Sequence, residues 1–504
     1  MSRTPPQSPD TDSAIDLHDI QAIVRSGFGK LAGCCYLLLR VVDAKPARAW
    51  LRTQHAASIG DLASGFLEDV VQIALTAAGL RALGIQDDVI SSFSAEFVTG
   101  MADDPSRSRR LGDIGGNAPA NWQWGVGEQE PHLLLMLFTA QDRIDNLAQR
   151  FVTEATAAGL SQLAVLTTSD MKGREPFGFV DGISQPTLDW QGRHQSGIAA
   201  DMDFKNIISI GEIVLGYRNE YALYTESPEI DASNGGSDAL PVAIDRPGRR
   251  DLGRNGSYLV FRQLEQDVRG FWRWVHQTAG SGSATTLAEA MVGRRISGEP
   301  LIGIETQDVP GVEQADRPLN GFTFADDPGG RICPVGAHIR RANPRTGDFP
   351  EGRQGLIRKL IAIFGLSGTA EADAIASSRF HRLTRRGREY GRWLDPADAA
   401  KPDAPDPQSG LHFICLNANI ARQFEFVQGA WLASAKFAGL SGESDPLLGN
   451  RLPFPANQPT DRFTQPTADG PCHVASALPQ FIHLRGGAYF FLPGLRALAW
   501  LLRD

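Results

Sequence analysis

Four short segments of this 504-residue chain carry side chains whose types and spacing could do chemistry. In the first, FGFVDGISQP at 177–186, glycines on either side of Asp181 permit a tight backbone path that presents a carboxylate to a cavity. A turn whose aspartate caps its own backbone would look the same. In the second, CPVGAHIRRANPR at 333–345, His338 follows a Pro/Gly stretch and precedes Arg340, Arg341 and Arg345. A neutral imidazole can ligate haem iron, and arginines beside it can neutralise haem carboxylates. The spacing is not CxxCH, which excludes covalent c-type attachment, and a surface or hydrogen-bonded histidine is the plain alternative. In the third, HRLTRRGREYG at 381–391, arginines crowd around Tyr390, as the lining of an anionic pocket or a solvated basic helix end would require. In the fourth, LNANIARQFEFVQGAW at 416–431, Glu425 stands between Phe424 and Phe426 in an apolar helix. A carboxylate in such company is paired, because burying it alone is costly, and a structural salt bridge fits as well as a functional partner.

The elements that must position these segments read as strand–helix units. A β-type run at 36–40 precedes a helix at 44–52, and a second run at 70–75 leads to Thr76 as N-cap of a helix ending at Gly84. A third run at 132–138 precedes a helix at 141–158. The pattern then recurs. Residues 258–262 with a helix at 267–276 echo the first unit, and 411–416 with a helix at 420–433 echo the unit at 132. A duplicated α+β domain with insertions in its second copy would explain both echoes, and chance similarity between short apolar strands is the plain alternative. Strands separated by helices without regular βαβ spacing point to antiparallel sheets with helices on one side. Turn-forming residues fill 227–257, and 395–410 reads as an Asp/Pro-rich surface insertion. At the end, Pro493 and Gly494 open a helix whose apolar face is expected at Leu495, Leu498, Ala499 and Leu502. The expected layout is a disordered tail at 1–15, an N-terminal domain at 16–235 carrying the Asp181 loop, and a C-terminal domain at 236–504 carrying His338.

Composition narrows the function classes. The chain has 42% hydrophobic residues, as an ordinary globular protein does, and 49 Lys+Arg against 58 Asp+Glu give a net charge of −9. That excess of carboxylates argues against a phosphate-backbone partner, so no nucleic acid is expected. The five cysteines are scattered, with no CxxC pair, and fit a reducing compartment. The N-terminal residues lack the basic-then-apolar design of a signal peptide, and the apolar run at 34–42 is far short of the ~20 residues needed to span a bilayer. The expected setting is cytoplasmic, with no membrane partner.

Taken together, the four segments resemble the dye-decolorizing peroxidase family, a haem-dependent group, from about residue 16 to the C-terminus. FVDGISQP is similar to the family's GxxDG motif (Gly178, Asp181, Gly182), CPVGAHIRRANPR to its proximal-histidine segment, LTRRGREYG to its distal-arginine segment and NANIARQFEFVQGAW to its later helix. Smaller matches lie at 290–294, 298–301 and 484–493. The resemblance implies an α+β fold of duplicated ferredoxin-like domains, with antiparallel sheets and peripheral helices, in the manner of dimeric α+β barrels. It implies one non-covalent haem b per chain with His338 as the axial metal ligand, and Asp181 and Arg385 as the distal catalytic pair. Arg345, Asn343 and the stretch Gly182, Ile183 and Ser184 match haem-contacting positions, and Glu425 matches the acid that accepts the histidine's N–H. The long spacing from His338 to Arg385 leaves Arg385 and Arg386 both open as the distal arginine.

The activity so implied is oxidation of bulky aromatic substrates (dyes, phenolics) by H2O2 in one-electron steps. Asp181 would shuttle the peroxide proton and Arg385 would stabilise the charge that develops as the O–O bond breaks. An ordinary aspartate titrates near ~3.9, against ~6.5 for a histidine base, so an acidic pH optimum is expected. Substrates too large for a buried haem would pass electrons through a surface aromatic, Tyr390 first and Trp393 second. The alternative is a haem-binding or haem-iron-handling protein without peroxidase turnover, which would need His338 but not the distal pair. A homo-oligomer is compatible with the sequence, and no shell-targeting tail is expected after the last helix.

Overall fold

Apolar runs too continuous to alternate dominate the chain, and the computed structural model shows why. It describes residues 15–503 except 66, 193–205, 245, 303–318, 346–376, 404, 452–458 and 468–469; apart from Ile15, the expected tail lies outside the described residues. In the N-terminal half the strands are β1 (Gly33–Val41), β2 (Val70–Leu75), β3 (Leu133–Thr139) and β4 (Leu160–Thr167). In the C-terminal half they are β5 (Ser257–Gln266), β6 (Thr384–Arg385), β7 (Arg388–Tyr390), β8 (Ser409–Asn417) and β9 (Ile482–Leu492). Helices α1 (Ala44–Thr53) and α2 (Ile144–Ala157) belong to the first half. The second carries α3 (Val268–Ala279), α4 (Ala284–Val292), α5 (His338–Ala342) and the terminal α6 (Leu495–Leu501).

All strand pairings in this sheet are antiparallel, and its order is β6-β8-β5-β9-β2-β3-β1-β4, with β7 also on β8. Each half therefore runs second-third-first-fourth, the ferredoxin-like order, and the second strand of the C-terminal half is split into β6 and β7. The split falls at Gly387, where a Cβ would lie 2.1 Å from the carbonyl oxygen of His412. The sequence echoes occupy equivalent places: residues 36 and 258 sit in the two first strands, 132–138 and 411–416 form the two third strands. The halves join where Phe491 of β9 pairs with Leu75 of β2. At the other edges, Ser169 donates to the Glu389 carbonyl at 2.9 Å and its hydroxyl to the Gly391 carbonyl at 2.6 Å, so the sheet curls until its ends meet.

Both faces are covered, which is why the strands need apolar residues at every position. Cys35, Leu37 and Leu39 of β1 pack with Ala47 and Leu51 of α1 and with Leu147 and Phe151 of α2. Cys34, Tyr36 and Leu38 face the opposite way, toward Phe261, Ile414 and Phe490 of the second half. Strand β4 was not foreseen; as a sheet edge it is only partly buried, and its apolar pattern is diluted by Ser161 and Gln162. The terminal helix begins after Gly494 as expected, but it buries Ala497, Leu498, Trp500 and Leu501 and exposes Ala499. The large indole of Trp500 sets which face turns inward. The helix expected at 420–433 is wound wide, as π-helical stretches Ala421–Glu425 and Val427–Leu432, a geometry that concentrates at functional sites. No described helix is long and apolar enough to cross a membrane.

Candidate active site

A cavity of about 260 Å³ lies against the C-terminal half of the sheet, where alternate residues of β5 (Arg262, Leu264, Gln266) and of β8 (Leu411, Phe413) form its floor. The Asp181 loop, the start of α5 and strand β6 bring Asp181, Ile183, Ser184, His338, Asn343, Arg345 and Arg385 to the same space.

The Asp181 loop needs its glycines. Gly178 has φ 106° and a Cβ there would lie 2.6 Å from Pro396 Cγ, while Gly182 has φ 81° directly after the aspartate. The Glu175 carboxylate braces the turn by accepting the N–H of Phe177 at 3.0 Å and of Phe179 at 2.9 Å. Asp181 meets Arg385 at 3.1 Å. Burial opposes ionisation of Asp181, but the Arg385 charge and the Gly182 N–H prevail and hold it below the usual carboxylate range. The Gln185 side chain clamps the Arg385 backbone from both sides, accepting its N–H at 2.9 Å and donating to its carbonyl at 3.1 Å. Arg386 points elsewhere: its guanidinium donates to the carbonyls of Ile23 at 2.6 Å and Val24 at 2.8 Å. Strand alternation thus separates the two arginines, and Arg385 is the one that faces Asp181.

His338 is the first residue of α5, and its Nδ1 lies 3.0 Å from Oδ2 of Asp445, which is fully buried. The other oxygen of Asp445 accepts the N–H groups of Leu447 at 2.9 Å and Leu448 at 2.7 Å. Burial alone would lower the His338 pKa, yet the Asp445 charge outweighs it and raises it. With Nδ1 engaged, Nε2 is the nitrogen left to act as a ligand. Arg345 adopts φ 56° and holds the carbonyls of Asn320 and Phe322, both at 2.8 Å, while Arg294 donates to Ser184 Oγ at 3.0 Å. Arg294, Arg345, Arg382 and Arg385 all line the cavity, and like-charge crowding adds to burial in lowering the pKa of Arg294 and of Arg345. Oδ1 of Asn343 is buried without a hydrogen-bond partner.

The chain aligns along most of its length with dye-decolorizing peroxidases. It is 26% identical to one from Mycetinis scorodonius over 99% of this chain and 92% of that protein. It is 28% identical to the multifunctional dye peroxidase of an Amycolatopsis species over 84% of this chain and 81% of that one. In sequence this chain is similar to the dye-decolorizing peroxidases. The crystal structure of a dye-decolorizing peroxidase from Auricularia auricula-judae shares its fold, with a TM-score of 0.70 at 23% identity over 97% of this chain and 100% of that one. No family model matches the chain.

One expected partnership is corrected. Glu425 does not reach His338: it pairs with Arg107 at 2.7 Å and Arg110 at 3.7 Å and accepts from the Tyr489 hydroxyl at 3.0 Å. On the wide helix, Phe424, Val427, Gln428, Trp431 and Leu432 line the cavity, and Glu425 turns toward the helix Pro105–Leu111. The carboxylate beside the histidine is Asp445, which sequence reading missed because an aspartate before Pro446 reads as an ordinary turn residue. Gln185, Arg294 and Glu175 were also missed as site residues, although each lies in or near a quoted segment. Tyr390 stacks on His412 with ring centroids 4.4 Å apart, and His412 faces the side of β8 opposite Leu411 and Phe413, away from the cavity. Trp393 is 42% exposed, and its Cη2 lies 3.7 Å from where a Gly178 Cβ would stand, against the Asp181 loop.

Proposed function

We propose that this chain is a haem b peroxidase, one haem per chain, that uses H2O2 to oxidise bulky aromatic donors such as dyes and phenolics. The observation that carries the reading is a single cavity holding a carboxylate-backed histidine and an aspartate–arginine pair. The donor set fits haem: one imidazole nitrogen for iron, apolar lining side chains such as Leu264, Leu411, Phe413 and Phe424 for the macrocycle, and crowded arginines for its carboxylates. When bound, the haem supplies the redox chemistry that accepts two oxidising equivalents from peroxide and passes them on singly. His338 would hold it through Nε2, with Asp445 fixing the ring's orientation and tautomer. Arg345, Asn343 and the backbone from Gly182 to Ser184 would contact it.

Asp181, held ionised by Arg385, takes a proton from H2O2 and returns it to the departing oxygen so that water leaves. Arg385 offers fixed positive charge to that oxygen as the O–O bond breaks, and Gln185 keeps the guanidinium aimed. The depressed pKa of Asp181 supports a base that stays competent in acid and hence an acidic optimum. Trp393, exposed and packed on the Asp181 loop, is the better placed of the two aromatics to receive electrons from large donors, ahead of Tyr390 on the far face. A non-peroxidatic haem carrier has no use for the Asp181–Arg385 pair. We further propose a division into units at 16–235 and 236–504, consistent with the two four-strand sets, and a reducing, cytoplasmic setting, consistent with five free cysteines, four of them buried.

Purified protein loaded with haem is expected to show a Soret band and H2O2-dependent dye oxidation. Asp181→Asn should keep the band and lose turnover, whereas His338→Ala should lose the band. Full dye oxidation by Asp181→Asn, or an unchanged spectrum in His338→Ala, would sink this assignment.

A further inference from the structure

A second cavity, of about 330 Å³, lies where α1 and the terminal helix α6 approach the turn at 84–89. Two arginines reach it: Arg48 from α1 and Arg503 just beyond α6. Arg48 Nη1 donates to the Leu83 carbonyl at 2.5 Å, but its Nε is buried with no hydrogen-bond partner. Arg503 donates to the Trp500 carbonyl at 2.7 Å and lies over the Trp500 indole, 3.5 Å from the ring centroid. Neither guanidinium forms an ion pair among the described residues. Asp87 is engaged by Arg81 at 3.6 Å, and Asp88, although it lines the same cavity, pairs with neither arginine. Burial first, and then the like charge of Arg48, lower the pKa of Arg503. In a chain of net charge −9 with 58 Asp and Glu residues, two guanidiniums share one cavity with a single lining carboxylate, Asp88, to which neither is paired, and that leaves an excess of positive charge there. Beneath the charges, Ile85, Val89, Leu501 and Trp500 make an apolar floor.

We propose that this cavity binds an organic carboxylate, its carboxylate taken by Arg48 and Arg503 and its apolar body resting on the floor. The planar guanidinium fork matches carboxylate geometry. Size decides against a bare inorganic ion: one water occupies roughly 30 Å³ of liquid, so a lone ion would leave most of the space unfilled. An apolar floor with few convergent polar groups is the ordinary make-up of a small-molecule site. The site shares no lining residue with the haem cavity and does not depend on haem being bound.

Sodium benzoate titrated calorimetrically into the haem-loaded full chain tests this, with the Soret band followed in parallel. Benzoate is expected to bind once per chain without moving the band, and the double variant Arg48→Gln/Arg503→Gln to bind about 10-fold to 100-fold more weakly, the loss of charge-assisted bonds to the carboxylate. Benzyl alcohol, which keeps the body and lacks the charge, should bind at least as weakly to the wild type. Gln86→Glu adds a second carboxylate to the cavity wall beside Asp88, so it should also expel benzoate and raise the melting temperature of the free protein; it serves if the double variant fails to fold. Benzoate affinity unchanged in either variant overturns the proposal, as does the absence of binding or binding accompanied by a Soret shift. Inorganic phosphate displacing benzoate at equal concentration would overturn the organic part of it.

Discussion

Asp445→Asn is the substitution that separates the two candidate partners of His338. The carboxylate is fully buried, accepts two backbone N–H groups through Oδ1 and faces the imidazole Nδ1 at 3.0 Å through Oδ2. An asparagine can keep the oxygen that caps the turn at Leu447 and Leu448, but it then turns an NH2 toward a ring nitrogen that itself carries hydrogen when Nε2 is the ligand. The variant loses a charge-assisted hydrogen bond, about 1.5–3 kcal/mol. Groups that orient a metal-ligating histidine typically contribute ~10–100-fold to metal affinity, equivalent to about 1.4–2.7 kcal/mol, so the two routes to the magnitude agree. Haem dissociation, measured as loss of Soret absorbance to an excess of a haem-scavenging protein, should therefore be accelerated ~10–100-fold. Glu425→Gln is the control. It should leave haem retention near the wild-type value while destabilising the fold by up to about 3–5 kcal/mol, because Arg107 is left buried without its counter-charge. Wild-type haem retention in Asp445→Asn, with loss in Glu425→Gln, would refute the assignment of the proximal carboxylate.

Three further outcomes are expected. Arg385→Gln removes the largest influence favouring ionised Asp181, so turnover should fall ~10²–10³-fold. Its acid limb should also move to higher pH, because a carboxylate freed from a cation protonates earlier as pH falls; a limb that stays in place would show that another group is the base. Trp393→Phe should slow oxidation of a bulky dye several-fold and leave a small phenol unaffected, and equal effects on both donors would reduce Trp393 to a packing role. His412 has its pKa pushed down to about 4 by burial, against ~6.5 in an unfolded chain. The unfolded state therefore binds the extra proton, so this histidine's contribution is complete above pH ~6.5 and is lost toward pH 4, by up to about 3 kcal/mol. His412→Phe should flatten the acid side of the stability curve in urea unfolding between those pH values, and an unchanged slope would contradict it.

The fold was legible where strands are buried on both sides. The runs at 36–40, 132–138, 258–262 and 411–416 need apolar residues on both faces, and they proved to be the first and third strands of each half, the central positions of each set. Strands at edges were harder to read: β4 mixes serine and glutamine with leucine, and β6 and β7 are too short and arginine-rich to show a period. The wide helix was read as a plain helix because widening by one residue per turn leaves the composition unchanged. It nevertheless rotates Glu425 away from the direction that regular spacing suggested.

The site divides along the same physical line. Residues that act at the cavity sit in motifs whose local backbone is unusual, and unusual backbone leaves a mark in sequence: Gly178 and Gly182 frame Asp181, and a Pro/Gly turn precedes His338. Residues that aim those groups leave none, because their work is done by one side chain across a long sequence separation. Gln185 reaches Arg385 over 200 residues and Asp445 reaches His338 over 107. A lone aspartate or glutamine in a turn has many local explanations, and only the chain path distinguishes them. The consequence is specific to this cavity: the distal pair is held by one strand and one loop from different halves of the chain, whereas His338 and Asp445 both come from the second. Loosening the junction between halves should therefore disturb the Asp181–Arg385 contact before it disturbs the histidine, and peroxide chemistry should fail before haem retention does.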